Sequence, residues 1–500
     1  MTSINNHIRQ LEPTRVWQWF AQICDVPHPT FSERPLGELL VNKANTEGKA
    51  YGLTAEIDAK GNVRIQKAGT HGMQDHATVA LQAHYDMVAQ KGATSTHDFI
   101  NDPIQTVIKD GWVWANDTTL GADNGIGLAM GLAVAFSDDI AHPPLSLVIT
   151  AEEETGMGGV MALSPTWLDV PYLINLDSED EGAMFVGCAG GRDATFSHDF
   201  TTQSLDSVNN ANLSLVQINV SGLHGGHSGI DIHKGFANAN LVLARVLANA
   251  FEQSAFYLQQ FKGGQLRNVI TRDATAVVLA DLAVITPFIE QQQAIIAEEY
   301  RHTEPNFAIT IEPVTLENPS ILSLNDTQKV LDVIRSVPNG VFRMSDDFDV
   351  VESSISTGVI TLEANKEAGK FEMQCLMRSL AETPKDDISQ ALSALARLAG
   401  ISFRASDDYP GWKPASSSYL LNQTKPIMQQ VFGKEPTVEV IHAGLECGIL
   451  SGRSPNKALD MISFGPNIRS AHSPKERVEI DSVAKTWEVL LQLLKQIPKE

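Results

Sequence analysis

The first part of the chain alternates short, continuous apolar runs with stretches of helical character. Three of the runs have the length of buried strands, at residues 77–81, 145–150 and 172–176. The segment 122–136 is apolar over most of its length and follows a glycine-rich turn, which predicts a helix. Strands that alternate with helices are typical of an α/β sheet with helices on its faces, so we predict an α/β fold here.

A different pattern begins near residue 188. Residues 213–220 alternate between apolar and polar side chains, as a half-buried strand does. The other predicted elements of this part are strands at 275–280, 307–311 and 372–377, and helices at 237–252 and 289–300. Strands and helices mixed over one face of a sheet indicate a second domain, of the α+β class.

Side chains that bind divalent cations occur in five places far apart in the sequence. They are His84 with Asp86, Asp123, the glutamate run 152–154, Asp177 and His472. Three of these groups directly follow predicted strands, and ligands of open α/β sheets gather at the carboxyl ends of strands. The inventory is enough for two cations with one bridging carboxylate and a further carboxylate as a base, which predicts a cocatalytic metallohydrolase.

Local spacing indicates roles for some of these side chains. His84 and Asp86 are two residues apart, so on an extended backbone Asp86 can accept the second ring N–H of His84. Asp123 lies at the start of the predicted helix, where a carboxylate is favoured, and this suits the bridging position. Of the glutamates 152–154, one is expected to bind metal and a neighbour to take a proton from the attacking water; spacing alone leaves open which.

The position of His472 requires a domain that is discontinuous in sequence. This residue lies close to the end of the chain, yet it has to meet His84. After residue 409 the predicted elements are a helix near 417–431, a loop at 442–448 and a strand at 461–464. We therefore expect a catalytic domain formed by residues 1–187 and 409–500, with an α+β lid of residues 188–408 inserted between its halves.

Composition limits the partners and the location. The net charge is −23 and no Lys/Arg cluster occurs, which argues against binding of nucleic acid or an anionic membrane. The cysteines Cys24, Cys188, Cys375 and Cys447 are scattered, as in proteins of a reducing compartment. The first twenty residues lack the apolar core of a signal peptide, and no apolar run approaches the roughly 18 residues of a membrane span. A cytoplasmic location is expected.

Six motifs carry a resemblance to a known family. They are His84-Tyr85-Asp86-Met87-Val88, Leu120-Gly121-Ala122-Asp123-Asn124-Gly125, Glu153-Glu154-Thr155-Gly156-Met157, Leu176-Asp177-Ser178-Glu179, Gly225-Gly226-His227-Ser228-Gly229 and His442-Ala443-Gly444-Leu445-Glu446-Cys447-Gly448. In these motifs and their order the chain resembles the cytosolic Xaa-His dipeptidases, also called aminoacyl-histidine or cytosol non-specific dipeptidases, of the aminoacylase and carboxypeptidase-like superfamily of dinuclear zinc peptidases. The resemblance implies a mixed-sheet zinc-peptidase domain with an inserted lid, and hydrolysis of dipeptides.

The resemblance also implies two zinc ions per chain. At the matching positions His84 and Asp177 bind one ion, Glu154 and His472 bind the other, and Asp123 bridges the two. Mixed imidazole and carboxylate ligands suit zinc, and cobalt or manganese is compatible with the same ligand types.

The remaining roles come from the same match. Glu153 is the general base and Asp86 orients the metal-binding imidazole. His227 belongs to the lid, and the resemblance implies a homodimer in which this histidine reaches the scissile carbonyl of the partner subunit. Arg378 matches the arginine that takes the substrate carboxylate, and Asn268 matches an asparagine that contacts the substrate.

Alternative functions use the same residues. An aminoacylase, or a carboxypeptidase acting on longer peptides, would keep the chemistry and change the substrate. A non-catalytic metal-binding protein of the same fold is a further alternative, usually marked by a lost ligand or base, and here all six positions are filled. The chain departs from the family pattern at Ala83, at His224, at 269–272 and at 356–358; the last three lie in the predicted lid and bear on which side chains are accepted.

Overall fold

The chain divides into two compact units, and the first of them is discontinuous in sequence. The computed structural model describes residues 4–208, 212–415 and 417–499. Unit 1 consists of Met1–Cys188, Trp412–Val440 and Leu445–Glu500, and unit 2 of Ala189–Gly411 and Ile441–Gly444. The short segment Ile441–Gly444 therefore groups with unit 2, although it lies in sequence between two parts of unit 1.

The described residues form the following α-helices and strands. The helices are α1 (Thr14–Cys24), α2 (Arg34–Asn45), α3 (Ala122–Ala135), α4 (Gly158–Ala162), α5 (Ala239–Gln253), α6 (Leu282–Glu299), α7 (Leu324–Ser336), α8 (Glu382–Ala399), α9 (Tyr419–Phe432), α10 (Glu446–Arg453) and α11 (Ile480–Leu494). The strands are β1 (Thr54–Ile57), β2 (Val63–Lys67), β3 (Val79–His84), β4 (Thr106–Lys109), β5 (Trp112–Ala115), β6 (Leu145–Thr150), β7 (Tyr172–Asn175), β8 (Ala183–Cys188), β9 (Gly190–Phe200), β10 (Thr202–Ser204), β11 (Leu213–Ser221), β12 (Gly226–His227), β13 (Tyr257–Gly263), β14 (Val269–Ile270), β15 (Ala274–Asp281), β16 (Ala308–Pro313), β17 (Ser320–Leu322), β18 (Gly340–Met344), β19 (Val351–Ala364), β20 (Gly369–Ser379), β21 (Ser402–Tyr409), β22 (Thr437–Ile441), β23 (Asp460–Ser463), β24 (Ile468–Arg469) and β25 (Arg477–Glu479).

The main sheet of unit 1 mixes parallel and antiparallel strands. Its order is β1-β2-β6-β3-β7-β23-β8-β22. The central strands β6, β3, β7 and β23 run parallel, and antiparallel neighbours flank them. Both β3 and β6 are buried along their full length, which explains why most of their residues are apolar. The predicted mixed α/β class is confirmed, and the parallel core places four carboxyl strand ends on one edge.

Helix α3 packs closely against this sheet. Its residues from Asn124 onward are buried, and its apolar side chains share one core with those of β3 and β6. Gly131 allows the close approach, because a Cβ at this position would lie 2.6 Å from Leu147 Cδ1. The turn that carries Asp123 at the start of α3 is thereby held beside the strand ends.

A smaller sheet of unit 1 has the order β24-β25-β5-β4. Strand β25 pairs antiparallel with β5, with Arg477 opposite Trp114. Strand β5 comes shortly before α3 in sequence, and β25 comes shortly after His472. Their pairing in this sheet therefore joins the two segments of the chain that carry Asp123 and His472.

Unit 2 is built on a large antiparallel sheet. Its order is β16-β11-β15-β13-β19-β20-β9-β21, and β18 also pairs with β19. Apolar residues of α5, α6, α7 and α8 share one core with this sheet. A separate two-stranded pair joins β12 to β14, with His227 opposite Val269. Unit 2 thus has the mixed helix and strand content expected of an α+β domain.

Two predicted elements differ from the structure. The helix expected at 289–300 begins earlier, at Leu282, because Asp281 caps it by accepting the N–H of Ala283, and Pro287 is accommodated inside it. The segment expected as a loop at 442–448 is a loop only up to Leu445, because α10 begins at Glu446. The helix near 417–431 and the strand near 461–464 are found as α9 and β23.

Among the helices of the described residues, none has the length and apolar character that crossing a bilayer requires.

Candidate functional site

The candidate ligands gather at the carboxyl edge of the main sheet of unit 1. His84 is the last residue of β3, the glutamates 152–154 follow β6, and Asp177 lies two residues beyond β7. Asp123 lies at the start of α3. Ligand atoms of His84, Asp123 and Glu154 lie within 4.8 Å of one another. Residues from distant parts of the sequence therefore meet in one cluster.

The Asp123 carboxylate lies between two imidazoles. Its Oδ1 is 3.1 Å from His84 Nε2, and its Oδ2 is 3.2 Å from His472 Nε2. His84 Nε2 is also 3.5 Å from Asp177 Oδ1, and His472 Nε2 is 2.8 Å from Glu154 Oε2. The donors form two groups that share Asp123, an arrangement that fits two cations with a bridging carboxylate.

The chemistry of this donor set fits divalent cations. Glu154 Oε1 and Asp177 Oδ1 are buried and have no hydrogen-bond partner among the described residues. A buried acceptor without a donor costs about 1–3 kcal/mol, and a bound cation would satisfy both oxygens. Burial raises the pKa of Asp177 well above its usual value, and repulsion from Asp123 adds to this while His84 opposes it. Bound cations would neutralise the negative charge of these neighbouring carboxylates.

Both candidate histidines bind a proton strongly in this environment. Hydrogen bonds to Asp123 and Glu154 raise the pKa of His472 to about 11. Burial lowers the pKa of His84, but the carboxylates of Asp177 and Asp123 outweigh it and raise that pKa well above the usual value. Since only neutral imidazole binds metal, a cation at this site displaces protons.

The structure separates the three adjacent glutamates. Glu152 forms an ion pair with Lys60 at 2.5 Å, and Glu154 contacts His472. Glu153 remains beside the cluster, and its pKa is raised to about 8, first by burial, with His84 opposing and Glu446 adding repulsion. A carboxyl group that titrates near neutrality can both accept and return a proton.

Asp86 makes different contacts from those expected. His84 Nδ1 lies 3.0 Å from the main-chain oxygen of Asp86 and 3.5 Å from its carboxylate, so the carbonyl is the nearer acceptor of the ring N–H. The carboxylate accepts the main-chain N–H groups of Glu153 at 2.9 Å and Glu154 at 3.2 Å, and the hydroxyl of Thr30 at 2.9 Å. Asp86 thus holds the turn that presents both glutamates, as well as lying beside His84.

Two further carboxylates of unit 1 were absent from the predicted site. Glu446 Oε2 accepts hydrogen bonds from Gln82 and from Thr150, each at 2.7 Å, and burial raises its pKa to about 7 although His84 and these donors oppose the shift. Glu476 is also buried, and its carboxylate accepts main-chain N–H groups of the Asp123 turn. Glu446 lies in a motif that carries the family resemblance, whereas no spacing pattern marks Glu476.

In unit 2, main-chain groups fix the protonation of His227. Its Nδ1 accepts the N–H groups of Gly229 at 3.2 Å and Ile230 at 3.0 Å. A neutral imidazole with an accepting Nδ1 carries its proton on Nε2. Burial and the charge of Arg378 lower the pKa of His227, while Asp231 opposes the shift. His227 is therefore a neutral hydrogen-bond donor near pH 7.

The loop that carries His227 is closed at its base by Glu304. The Glu304 carboxylate accepts the N–H of His224 at 2.6 Å and the N–H of Ala237 at 2.8 Å. The rings of His224 and Phe236 also stack, with centroids 4.2 Å apart. These contacts tie together the two ends of the loop and so limit where His227 can lie.

Arg378, on β20 of unit 2, is a buried guanidinium. It is 4% exposed, and it donates to the Tyr409 hydroxyl at 3.3 Å and to the Ser228 hydroxyl at 3.5 Å. Its Nε has no hydrogen-bond partner, and no carboxylate in the described part of the chain forms an ion pair with it. Buried arginines are usually paired, so this one is suited to receive an anion.

Asn268 and His442 lie in the same unit. The Asn268 side chain is exposed, and its main-chain oxygen accepts the N–H of Ser228 at 2.9 Å. His442 was not predicted as a site residue; its Nε2 is 2.7 Å from Ser354 Oγ, and its pKa is lowered to about 3 by burial and by the charge of Arg378. A Cβ at Gly229 would lie 1.9 Å from the His442 oxygen, so only glycine fits there.

Comparison with known proteins identifies the family and the fold of the chain. Residues 80–496 match the model of peptidase family M20/M25/M40. The chain is 40% identical to the cytosol non-specific dipeptidase of Escherichia coli (strain K12) over 497 residues, which cover 99% of each chain. It resembles the crystal structure of aminoacylhistidine dipeptidase from Vibrio alginolyticus with a TM-score of 0.91 and 38% identity, over 100% of both chains. A tripeptidase from Staphylococcus aureus, at 15% identity and a TM-score of 0.53 over 98% and 100% of the two chains, shares the fold.

The matched region begins within β3 and ends beyond His472, so it contains every candidate metal ligand. The resemblance that the sequence motifs indicated is confirmed, and this chain belongs to peptidase family M20/M25/M40.

Proposed function

We propose that this chain is a metallodipeptidase that hydrolyses dipeptides of the Xaa-His type and others, with two zinc ions per chain. The observation that carries the proposal is the Asp123 carboxylate, whose two oxygens face His84 and His472 separately. Asp177 would complete the first cation site and Glu154 the second, since each lies beside the corresponding imidazole. The 40% identity to a relative named cytosol non-specific dipeptidase supports the choice of substrate class.

Bound divalent cations supply Lewis acidity and lower the pKa of water at the site. Glu153 accepts a proton from the water whose oxygen bonds to the peptide carbonyl carbon, and it returns this proton to the leaving amine nitrogen as the C–N bond breaks. Asp86 holds Glu153 in place through the main-chain N–H of that residue. The environment that raises the pKa of Glu153 favours both transfers.

Substrate recognition would come from unit 2. Arg378 would bind the substrate carboxylate with its unpaired donors, which restricts the length of the peptide. The Nε2–H of His227 would donate to the oxyanion that develops on the scissile carbonyl. Asn268, exposed beside the His227 loop, would contact the substrate as well.

Unit 2 would serve as the lid and dimerisation domain of a homodimer, with His227 acting on the substrate bound to the partner subunit. A cytoplasmic location is part of the proposal; it is supported by the name of the E. coli relative and by the four cysteines, which are all buried and unpaired.

The experiment that tests the proposal is a metal analysis paired with a substrate panel. Carnosine and Leu-Gly are compared with tripeptides and N-acetyl amino acids, using the full-length chain after chelation and after reconstitution with zinc. Turnover of the dipeptides that requires about two zinc ions per chain is the expected result. Good deacylation of N-acetyl amino acids without dipeptide turnover would identify an aminoacylase and overturn the proposal.

A further inference from the structure

A single buried carboxylate accepts four consecutive main-chain N–H groups next to the candidate metal centre. Glu476 is 2% exposed. Its Oε2 accepts the N–H groups of Leu120 at 2.8 Å and Gly121 at 3.2 Å. Its Oε1 accepts those of Ala122 at 2.7 Å and Asp123 at 3.3 Å. Both oxygens are therefore used, and the last donor belongs to the residue that faces both histidines.

The backbone of this turn forms an anion-binding concavity. Gly121 has a left-handed conformation with φ 70°, and the first N–H groups of α3 have no acceptor within the helix. Successive N–H groups in such a turn converge on one point and attract a negative charge. Glu476 fills that point, and it comes from a segment more than 350 residues away in sequence.

Glu476 also belongs to the segment that carries His472. The two residues are four positions apart, and the N–H of Glu476 donates to the oxygen of Ser473 at 3.0 Å. His472 itself has a left-handed backbone, with φ 62°, a conformation that is uncommon for a non-glycine residue. Strand β25 begins directly after Glu476 and pairs with β5, which precedes the Asp123 turn.

We propose that Glu476 is a positioning residue that locks the Asp123 turn to the His472 segment, so that the affinity of both cation sites depends on it. The inference rests on the proposed metal site, because it concerns how Asp123 and His472 are held. Glu476 would not touch cation or substrate; it would act by keeping the two oxygens of Asp123 aimed at the two imidazoles.

The test is cation binding by the Glu476→Gln variant. A glutamine keeps the size of the side chain but leaves one acceptor oxygen, so in either orientation of its amide two of the four N–H groups lose their acceptor. Full-length protein is freed of metal with a chelator and titrated with Zn²⁺, and with Co²⁺, whose visible spectrum reports ligand geometry. The expected result is about 10- to 100-fold weaker binding at both sites, as for other residues that orient metal ligands.

Asp460→Asn is the matched control. Asp460 is the first residue of β23, at the end of the parallel strands opposite to the candidate ligands, and it accepts the Leu420 N–H at 2.9 Å and the Ser418 hydroxyl at 2.5 Å. This variant removes a carboxylate that accepts one main-chain and one side-chain hydrogen bond in the same unit, so it reports general destabilisation. We expect its cation affinities to equal those of the unsubstituted chain, even if its melting temperature falls.

The outcomes are distinguishable. Glu476→Gln that folds and binds both cations with unchanged affinity overturns the inference, as does an equal loss of affinity in Asp460→Asn. If Glu476→Gln does not fold, Glu476→Asp, which keeps the charge but withdraws it by one methylene, is titrated instead, and unchanged affinity there also overturns it. If the unsubstituted chain itself fails to bind two cations, the proposed function fails, and the role of Glu476 fails with it.

Discussion

Replacing Arg378 by methionine tests whether its guanidinium selects substrates with a free carboxylate. Methionine has a similar length and no charge, so it fills the buried position without offering donors. The guanidinium is already desolvated in the free protein, since it is 4% exposed and no carboxylate of the described residues pairs with it. A substrate carboxylate would therefore gain charge-assisted hydrogen bonds without a further desolvation cost for the arginine.

The size of the effect follows from these contacts. A hydrogen bond to a charged group contributes about 1.5–3 kcal/mol, and a bidentate pair contributes two of them. Desolvation of the substrate carboxylate offsets a part, which leaves about 3 kcal/mol, or roughly a hundredfold in kcat/KM at 1.36 kcal/mol per factor of ten. Because the substrate carboxylate keeps its charge throughout the reaction, Arg378 binds it equally in the ground state and the transition state, and the loss should fall mainly on KM.

The assay is a two-by-two comparison of enzyme and substrate. Unsubstituted chain and Arg378→Met are each tested with a dipeptide and with the same dipeptide carrying a carboxamide in place of the carboxylate. We expect the unsubstituted chain to prefer the free acid by roughly a hundredfold and the variant to treat both alike. Arg192→Met is the matched control: Arg192 lies on the adjacent strand β9 but is paired with Asp386 and Asp408, so its loss should leave the preference intact.

A variant that still prefers the free acid by more than about tenfold would show that another group reads the carboxylate. Equal losses on acid and amide would show that Arg378 shapes the site without contacting the substrate terminus.

Four further outcomes are expected. Glu153→Gln should lower kcat by at least about a hundredfold while the zinc content stays near that of the unsubstituted chain, because its carboxylate moves a proton and binds no cation; unchanged turnover removes it from the mechanism. Mixing inactive Glu153→Gln and His227→Ala chains, with exchange of subunits, should restore roughly a quarter of the activity. Half of the dimers are then mixed, and each mixed dimer has one of its two sites complete, with Glu153 from one chain and His227 from the other. No recovery would argue against the action of His227 across a dimer. Glu304→Gln should lower kcat with unchanged zinc content, because the His227 loop loses one of its two closing hydrogen bonds; normal kinetics would contradict this. In chelated protein the free energy of unfolding should fall as pH rises from about 5 to about 8. Burial raises the pKa of Glu446 to about 7, and hydrogen bonds to carboxylates raise the pKa of His472 to about 11, so the folded chain binds more protons than the unfolded chain in this range. Denaturant titrations in which stability rises with pH would refute this.

Much of unit 1 could be predicted because its parallel strands are buried on both faces. Strands β3, β6 and β7 read as short, mainly apolar runs. A side chain of metal-ligand type is the last residue of β3 and occurs two residues after the ends of β6 and β7. The convergence of His84, the glutamates 152–154 and Asp177 then follows from the rule that sites form at carboxyl strand ends. The sequence pattern predicted these strands correctly because burial requires several neighbouring residues to be apolar at once.

Other features left no local pattern. The three adjacent glutamates are chemically identical, and only the ion pair of Glu152 with Lys60 and the contact of Glu154 with His472 separate them. The segment 441–444 groups with unit 2 through contacts that are distant in sequence. Glu476 accepts hydrogen bonds from main-chain N–H groups, which every residue except proline carries. The residue types at 120–123 therefore do not indicate that a carboxylate binds there.

Three buried acidic side chains of this chain each accept main-chain N–H groups of a loop that carries a candidate site residue. These contacts show how an acidic protein can use carboxylates to position the residues of a site. Asp86 accepts the N–H groups of residues 153 and 154, Glu476 those of residues 120–123, and Glu304 those of residues 224 and 237. Loops lack the internal hydrogen bonds of helices and sheets, so a loop that must present a side chain accurately needs acceptors from elsewhere. A carboxylate can accept several N–H groups at once and joins two segments in doing so. Part of the net charge of −23 therefore holds the loops of the candidate site in place, and replacing any of these three side chains by its neutral amide should lower kcat or cation affinity although none of them is a proposed metal ligand.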